Sequence, residues 1–205
     1  MLMPASPLFA ILACLVAYLI GSVSFAVLGA RLFRLADPRT YGSGNPGATN
    51  VLRSGNRKAA IFTLAGDTLK GVAVILLCRA LGLAEWITGL VALAAFYGHI
   101  FPVFLKFRGG KGVATAGGAL LALEFWTGIA SLGAWIVTAR VTRYSSLAAI
   151  VAGVSAPVFS ILLHGADGQA RVAFIMGATL VARHHANIRR LRAGTETRIG
   201  DKKET

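Results

Sequence analysis

The first thirty residues of the chain contain no Asp, Glu, Lys, Arg or His. A membrane-spanning helix needs about 20 predominantly apolar residues, and Pro7–Ala30 exceeds that length. A cleaved secretory signal would carry its basic residues before a short apolar core and end at a small-residue cleavage site. Here Arg31 and Arg34 come after the run, so the segment is read as a retained span. Similar stretches follow. Ala59–Leu77 is interrupted only by Asp67 and Lys70, and Trp86–Leu105 carries no Asp, Glu, Lys or Arg. Gly112–Ala139 contains only Glu124, Tyr144–Leu163 is uncharged, and Val172–Ala182 is apolar but short. Outer-membrane barrel strands alternate in polarity over about ten residues, which excludes that architecture for runs of this length. The expected fold class is an all-α membrane protein, a helical bundle forming one domain over residues 1–205, with no internal repeat or low-complexity linker.

Composition agrees, and it poses a problem of charge. Hydrophobic residues make up 56% of the chain and charged ones only 14%, against about 25% in soluble domains. Yet 21 Lys and Arg face 8 Asp and Glu, a net charge of +13. A basic surface alone points to nucleic acid, but a nucleic-acid module is not this apolar, so no nucleic-acid partner is expected. The alternative is topology, because loops retained in the cytoplasm are enriched in Lys and Arg. The basic residues cluster in Arg31–Lys58, Lys106–Lys111, Arg140 with Arg143, and the tail from Arg183. All four clusters fall on one side only if Gly112–Ala139 crosses twice and turns near Glu124. That gives a seven-transmembrane-helix bundle with the N-terminus outside and the C-terminus cytoplasmic. Cys14 and Cys78 lie in membrane segments and are read as small apolar filler.

Three polar stretches share the cytoplasmic face in this topology. The first runs from Tyr41 to Asn50 and on to Arg53. Gly42, Gly44 and Gly47 satisfy GxGxxG, but a dinucleotide fingerprint needs a strand and a βαβ unit, which two membrane helices do not supply. The glycines instead allow close backbone approach beside Ser43, Asn45, Thr49 and Asn50. Backbone N–H groups leading into a helix start suit an anion. In the second stretch, Arg108–Gly112 resembles a P-loop but fails as one. Gly112 stands where a Ser or Thr should follow Lys111 to hold magnesium. A Gly-rich turn opening a helix with Lys111 inside it still suits a phosphate. The third stretch begins Arg183-His184-His185-Ala186-Asn187 and reaches Glu196. On a helix His184 and Asn187 share a face. A zinc site would want a third ligand, and no HExxH or cysteine pair is present, so no metal is assigned. The intramembrane Asp67 and Lys70 are expected to pair or to line a polar cavity.

These residues carry a resemblance. GSGNPGATNVLR, GHIFPVFLKFRGGKGVAT and RHHANIRRLRAGTE resemble, in order, the three signature motifs of the bacterial acylphosphate:glycerol-3-phosphate acyltransferases, the PlsY family. The likeness covers essentially the whole chain, including Asp67-x-x-Lys70-Gly71. It implies an inner-membrane enzyme whose site faces the cytoplasm. Such an enzyme moves a fatty acyl group from acyl phosphate to the sn-1 hydroxyl of glycerol 3-phosphate. It yields lysophosphatidic acid and phosphate, in the first step of phospholipid synthesis, without a cofactor. Ser43, Asn45, Thr49, Asn50 and Arg53 match family residues tied to activity and substrate contact. Gly109, Gly110, Lys111 and Gly112 match the segment tied to glycerol 3-phosphate. His184, Asn187 and Glu196 match the third motif, Glu196 as a supporting residue. Pro46 occupies a slot where the family often has other residues, and His185 follows the signature His without a role.

Acyl phosphate is an activated mixed anhydride, so no covalent enzyme intermediate is required. The protein must align a hydroxyl with the carbonyl and offset the charge of two phosphates. The expected catalytic set is Ser43, Arg53, Lys111, His184 and Asn187. Gly44, Asn45, Gly47, Thr49, Asn50, Lys106, Gly109, Gly110 and Gly112 are expected to bind substrate, and Asp67, Lys70 and Glu196 to support them. The base is either His184 or the donor phosphate itself. Acyl-CoA-dependent glycerolipid acyltransferases carry His-x4-Asp, and none of His99, His164, His184 or His185 has an Asp five residues later. CDP-alcohol phosphotransferases need a carboxylate cluster that Asp167-Gly168 does not extend into. The remaining alternative is a transporter for a phosphorylated metabolite or other anion. That fold would show broken helices, binding at the midplane and a two-fold internal repeat.

Overall fold

The helix boundaries follow local signals. Ser6 Oγ accepts the Phe9 amide at 3.3 Å and Pro7 takes the first helical position, where a missing N–H costs nothing. This begins α1 (Pro7–Ser22) in the computed structural model, which describes residues 6–201. Val23 is extended, and Ser24 caps α2 (Phe25–Leu32), so the long apolar run is a broken helix. α3 (Ala48–Leu52) is a short helix in the connection to α4 (Arg57–Ala80), which Asn56 caps by accepting the Ala59 amide at 3.0 Å. α5 (Glu85–Ile100) ends in a 3₁₀ turn at Val103–Leu105. There follow α6 (Val113–Leu123), α7 (Phe125–Thr142), α8 (Ser145–His164), α9 (Gly168–Arg183) and α10 (His185–Arg192).

The apolar stretch Gly112–Ala139 is not one helix. It breaks at Glu124, whose extended backbone (φ −137°, ψ 90°) separates α6 from α7. The turn is buried and tied down: Ser160 donates to Glu124 Oε2 at 2.7 Å, and Arg79 donates to the Leu123 carbonyl at 2.8 Å. α5 sits at the centre of the bundle, against α1, α4, α6 and α9, while α8 packs between α7 and α9. α4 and α6 meet backbone to backbone. A Cβ on Gly71 would strike the Thr115 carbonyl, and one on Gly118 the Thr68 carbonyl.

Burial is distributed as a membrane requires. Alanine supplies more than half of the buried apolar residues, while large side chains such as Leu8, Val141 and Leu162 stand exposed. Lipid tails are as apolar as leucine, so bundles in membranes gain from close packing of small residues instead. Four helical segments are long and apolar enough to cross a membrane: Pro7–Leu32, Arg57–Ala80, Glu85–Leu105 and Ser145–His164. The other expected crossings stand apart for physical reasons. α6 has 11 residues and α9 has 16, fewer than the usual 20 or so, and α7 carries Arg140 in its last turn. At one end of the bundle lies the Glu124 turn. At the other, the connections around α3, after α5, before α8 and after α9 converge.

Candidate active site

The first loop is shaped by Asn50. Its Nδ2 donates to the carbonyls of Pro38 (2.7 Å) and Tyr41 (3.2 Å), and its Oδ1 accepts the Ser43 amide at 2.9 Å. Asn50 is buried and its amide is fully engaged, so it builds the cradle rather than facing into it, unlike the substrate contact expected of it. Gly42 and Gly44 have φ of +60° and +66°, a region that favours glycine. This holds Ser43 at the exposed tip. Thr49 Oγ1 lies 3.0 Å from Ser145 Oγ and joins the loop to the start of α8. Arg53 caps the end of α3, with its side chain exposed.

The second loop folds back on the end of α5. The Gly110 amide donates to the His99 carbonyl at 3.1 Å, and Gly112 takes a φ of +83° to enter α6. Lys111, between them, is half-buried and donates to Asn187 Oδ1 on α10. Lys106 is exposed and makes no hydrogen bond or ion pair with the described residues, so it stands outside this network.

The third segment completes the centre. Asn187 Nδ2 donates to Glu196 Oε1 at 2.6 Å, and the same oxygen accepts from Ser146 at 2.7 Å. Arg190 Nε donates to Glu196 Oε2 at 2.7 Å. Burial alone would raise the Glu196 carboxyl, but the bonds from Ser146, Asn187 and Arg190 together hold it below its usual range. His184 is 2% exposed at the end of α9, and its Nδ1 donates to the Leu180 carbonyl at 2.8 Å. That bond leaves the Nε2 lone pair free.

Electrostatics draw the three segments into one site. Desolvation, with the charges of Arg190, Arg53 and Arg183 around it and only Glu196 opposing them, brings Lys111 down to about 8. Desolvation and the Lys111 charge press His184 down to about 4, so its ring is neutral at pH 7. An excess of cations around a half-buried lysine suits a multiply charged anion. Ser43, Arg53, Lys111, His184, Asn187 and Glu196 are thus contributed to one end of the bundle, while Asp67 and Lys70 lie deeper in α4. Three residues beyond the expected set take part. Arg183 donates to the Gly110 carbonyl at 3.4 Å and covers the Phe101 ring at 5.6 Å, and its place in the third motif was the available signal. Ser145 and Ser146 latch the first and third segments to α8. Nothing in their sequence context marks them out, since serines at helix starts are ordinary.

Residues 11–194 match the family model described as glycerol-3-phosphate acyltransferase. A glycerol-3-phosphate acyltransferase from Dechloromonas aromatica (strain RCB) is 57% identical over 193 residues, covering 94% of this chain and 98% of that one. The one from Ralstonia pickettii (strain 12J) is 56% identical over 204 residues, covering 97% and 99%. Among solved structures, PlsY (YgiH), an integral membrane glycerol 3-phosphate acyltransferase, in its glycerol 3-phosphate form superposes with a TM-score of 0.88 at 38% identity. That match covers 93% of this chain and 96% of the other. Its lysophosphatidic acid form gives 0.86 at 37% identity, covering 93% and 95%.

Proposed function

Because the chain belongs to the glycerol-3-phosphate acyltransferase family, an integral-membrane group of acyltransferases, we propose that it takes its acyl group from acyl phosphate and releases lysophosphatidic acid and phosphate. The observation that carries this reading is the convergence on Lys111 of Arg53, Arg183 and Arg190, next to a neutral His184 with a free Nε2. Two phosphates meet in such a reaction, and the site supplies cations without a carboxylate facing them that is not already bonded. In PlsY the two solved forms hold glycerol 3-phosphate and lysophosphatidic acid, a substrate and a product of this chemistry.

In the proposed mechanism Lys111 and Arg53 hold the glycerol 3-phosphate phosphate, with Ser43 and the amides of Lys111 and Gly112 beside them. Asn187 orients Lys111, and Glu196 orients Asn187. The sn-1 hydroxyl oxygen attacks the acyl carbon, and the bond from that carbon to the phosphate oxygen breaks. His184 Nε2 accepts a hydrogen bond from the hydroxyl and aligns it. A nitrogen near pKa 4 is a weak base, so the proton passes to the departing phosphate, whose basicity rises as the anhydride bond breaks. Catalysis is then alignment and charge compensation.

The same reading fixes the membrane arrangement. α1 with α2, then α4, α5, α6, α7, α8 and α9, make seven crossings of one domain in the bacterial inner membrane, N-terminus outside and the site on the cytoplasmic face. From the shared turn at Glu124, α7 runs 18 residues and α6 only 11. At 1.5 Å per residue, α6 stops roughly 10 Å short of the Arg143 end of α7. The Gly112 loop is therefore recessed toward the bilayer, where a fatty acyl donor lies. Asp67 and Lys70, the charges that kept a transport reading open, are committed to each other. The test is direct. Purified protein in detergent should release phosphate from acyl phosphate only when glycerol 3-phosphate is present. No release, with anion uptake into liposomes instead, would replace this reading with transport.

A further inference from the structure

Behind the glycine-rich loop lies a second cluster of charge, buried among helices. Lys70 Nζ sits 2.8 Å from Asp67 Oδ1 on its own helix, donates to the Val23 carbonyl at 2.8 Å, and contacts His99 Nδ1 at 2.9 Å. An ammonium has three N–H groups and no acceptor. Two of these protons go to the Val23 carbonyl and His99 Nδ1, and the charge is met by the Asp67 carboxylate, so the ammonium is held from α4, the break between α1 and α2, and the end of α5. Val23 is free to accept because the helix is interrupted there. Since Lys70 only donates, His99 Nδ1 accepts, which puts the ring proton on Nε2.

His99 passes this arrangement to the loop. Its carbonyl accepts the Gly110 amide at 3.1 Å, and the Nε2 edge of its ring lies so close to Gly110 that a Cβ there would overlap it. A Cβ on Gly109 would likewise strike the His99 carbonyl. Carbonyl and ring thus grip the two glycines from two sides, one residue before Lys111. α1 reinforces the same stretch: Tyr18 donates to the Phe101 carbonyl at 2.6 Å, and the Val103 amide donates to Ser22 Oγ at 3.4 Å.

We propose that Asp67, Lys70 and His99 are positioning residues for the reaction, which set the backbone of Gly109–Gly110 and through it the place of Lys111. This rests on the acyltransferase reading of the site. A buried ion pair is a poor device for stability alone, since its desolvation offsets its attraction and an apolar replacement serves as well or better. Ionisable groups inside a membrane are retained where they serve a function. None of the three touches substrate; they act on the residues that do.

The test uses full-length protein in detergent and glycerol 3-phosphate itself as the probe. Lys70→Met alone would strand the Asp67 charge, so the main variant is Asp67→Asn with Lys70→Met, which removes both charges at similar volume. It is expected to keep its thermal transition, to raise KM for glycerol 3-phosphate tenfold or more, and to change kcat less than threefold. Added to Lys111→Ala it should worsen kcat/KM less than twofold, because the Lys111 ammonium it positions is already gone. An unchanged KM, whatever happens to kcat, overturns the proposal, as does a full multiplicative loss in the combined variant. Should the double variant not fold, His99→Asn carries the same test. It keeps an acceptor toward Lys70, removes the ring from Gly110, and is expected to raise KM in the same way. The unaltered protein, run alongside, separates the two failures. If it does not turn over, the acyltransferase reading falls and this inference with it; if it turns over and the variants match it, only the inference falls.

Discussion

The molecule contains two lysine–histidine regions a short stretch of chain apart, and they differ in how many of their polar groups the protein consumes. In the deeper one, Lys70 is ion-paired to Asp67 and hydrogen-bonded to the Val23 carbonyl and His99 Nδ1, and His99 is wedged against Gly110. In the outer one, Lys111 has Asn187 as its hydrogen-bond partner, and guanidinium groups surround it. His184 spends its Nδ1 on the Leu180 carbonyl and keeps Nε2. The deeper region is closed and holds backbone in place. The outer one is left with donors and a lone pair that only a ligand can use. Residue type is the same in both; a carboxylate of its own helix meets the Lys70 charge, while Lys111 has a neutral amide and an excess of cations around it.

The sharpest way to break the comparison is to remove the outer lysine. Lys111→Ala is expected to lower kcat/KM for glycerol 3-phosphate by at least about a hundredfold. Losing one partner of a desolvated charge pair costs roughly 2–5 kcal/mol, and 2.7 kcal/mol is about a hundredfold. Steady-state kinetics at pH 7 measure it. A loss below tenfold would mean that Lys111 is as internally committed as Lys70.

The same difference explains which parts were legible in the sequence. Glycines among Ser43, Asn45, Thr49 and Lys111 announced exposed polar loops, because nothing structural requires that density. The pairing of Asp67 with Lys70 followed from three-residue spacing on an apolar helix. His99 was not legible as a third member. Its neighbours are apolar, and its partner lies 29 residues away. Arg183 looked like one more topology charge. The break at Val23 is invisible locally, since Ser22-Val23-Ser24 continues a helical apolar run. It is stabilised from outside, by Lys70 on its carbonyl and by Val103 on Ser22. Asn50 was visible as polar, but not the inward direction of its amide.

A second prediction uses pH to separate the regions without changing a residue. Lys111 is pushed from the usual lysine range down to about 8, first by desolvation and then by the neighbouring guanidinium groups. It is therefore a cation below pH 8 and neutral above. The free enzyme's ionisation governs kcat/KM. That parameter for glycerol 3-phosphate should accordingly be level near pH 7 and fall about tenfold per pH unit once well above pH 8. Bound phosphate favours the charged form, so the fall in kcat should begin at higher pH. The limb belongs to Lys111 and should move upward in Lys111→Arg, whose guanidinium stays charged throughout. A limb that stays at pH 8 in that variant would assign it elsewhere.

The smallest expected effect concerns the outer histidine. His184 is neutral across the working range because desolvation and the Lys111 charge hold it near 4, so no acid limb in kcat/KM should arise from it near pH 6.5. In the proposed mechanism its Nε2 aligns the hydroxyl, and the departing phosphate takes the proton. Glutamine reaches a similar point with an oxygen acceptor but cannot act as a general base. His184→Gln should therefore lower kcat about three- to tenfold, within the cost of one imperfect hydrogen bond of roughly 0.5–1.5 kcal/mol. A general base contributes about 10²–10⁴-fold. A loss in that higher range would give His184 the proton, and the free lone pair would then be chemistry rather than alignment. Either outcome leaves it unlike His99, whose Nδ1 is bonded to Lys70 and whose Nε2 edge lies against Gly110.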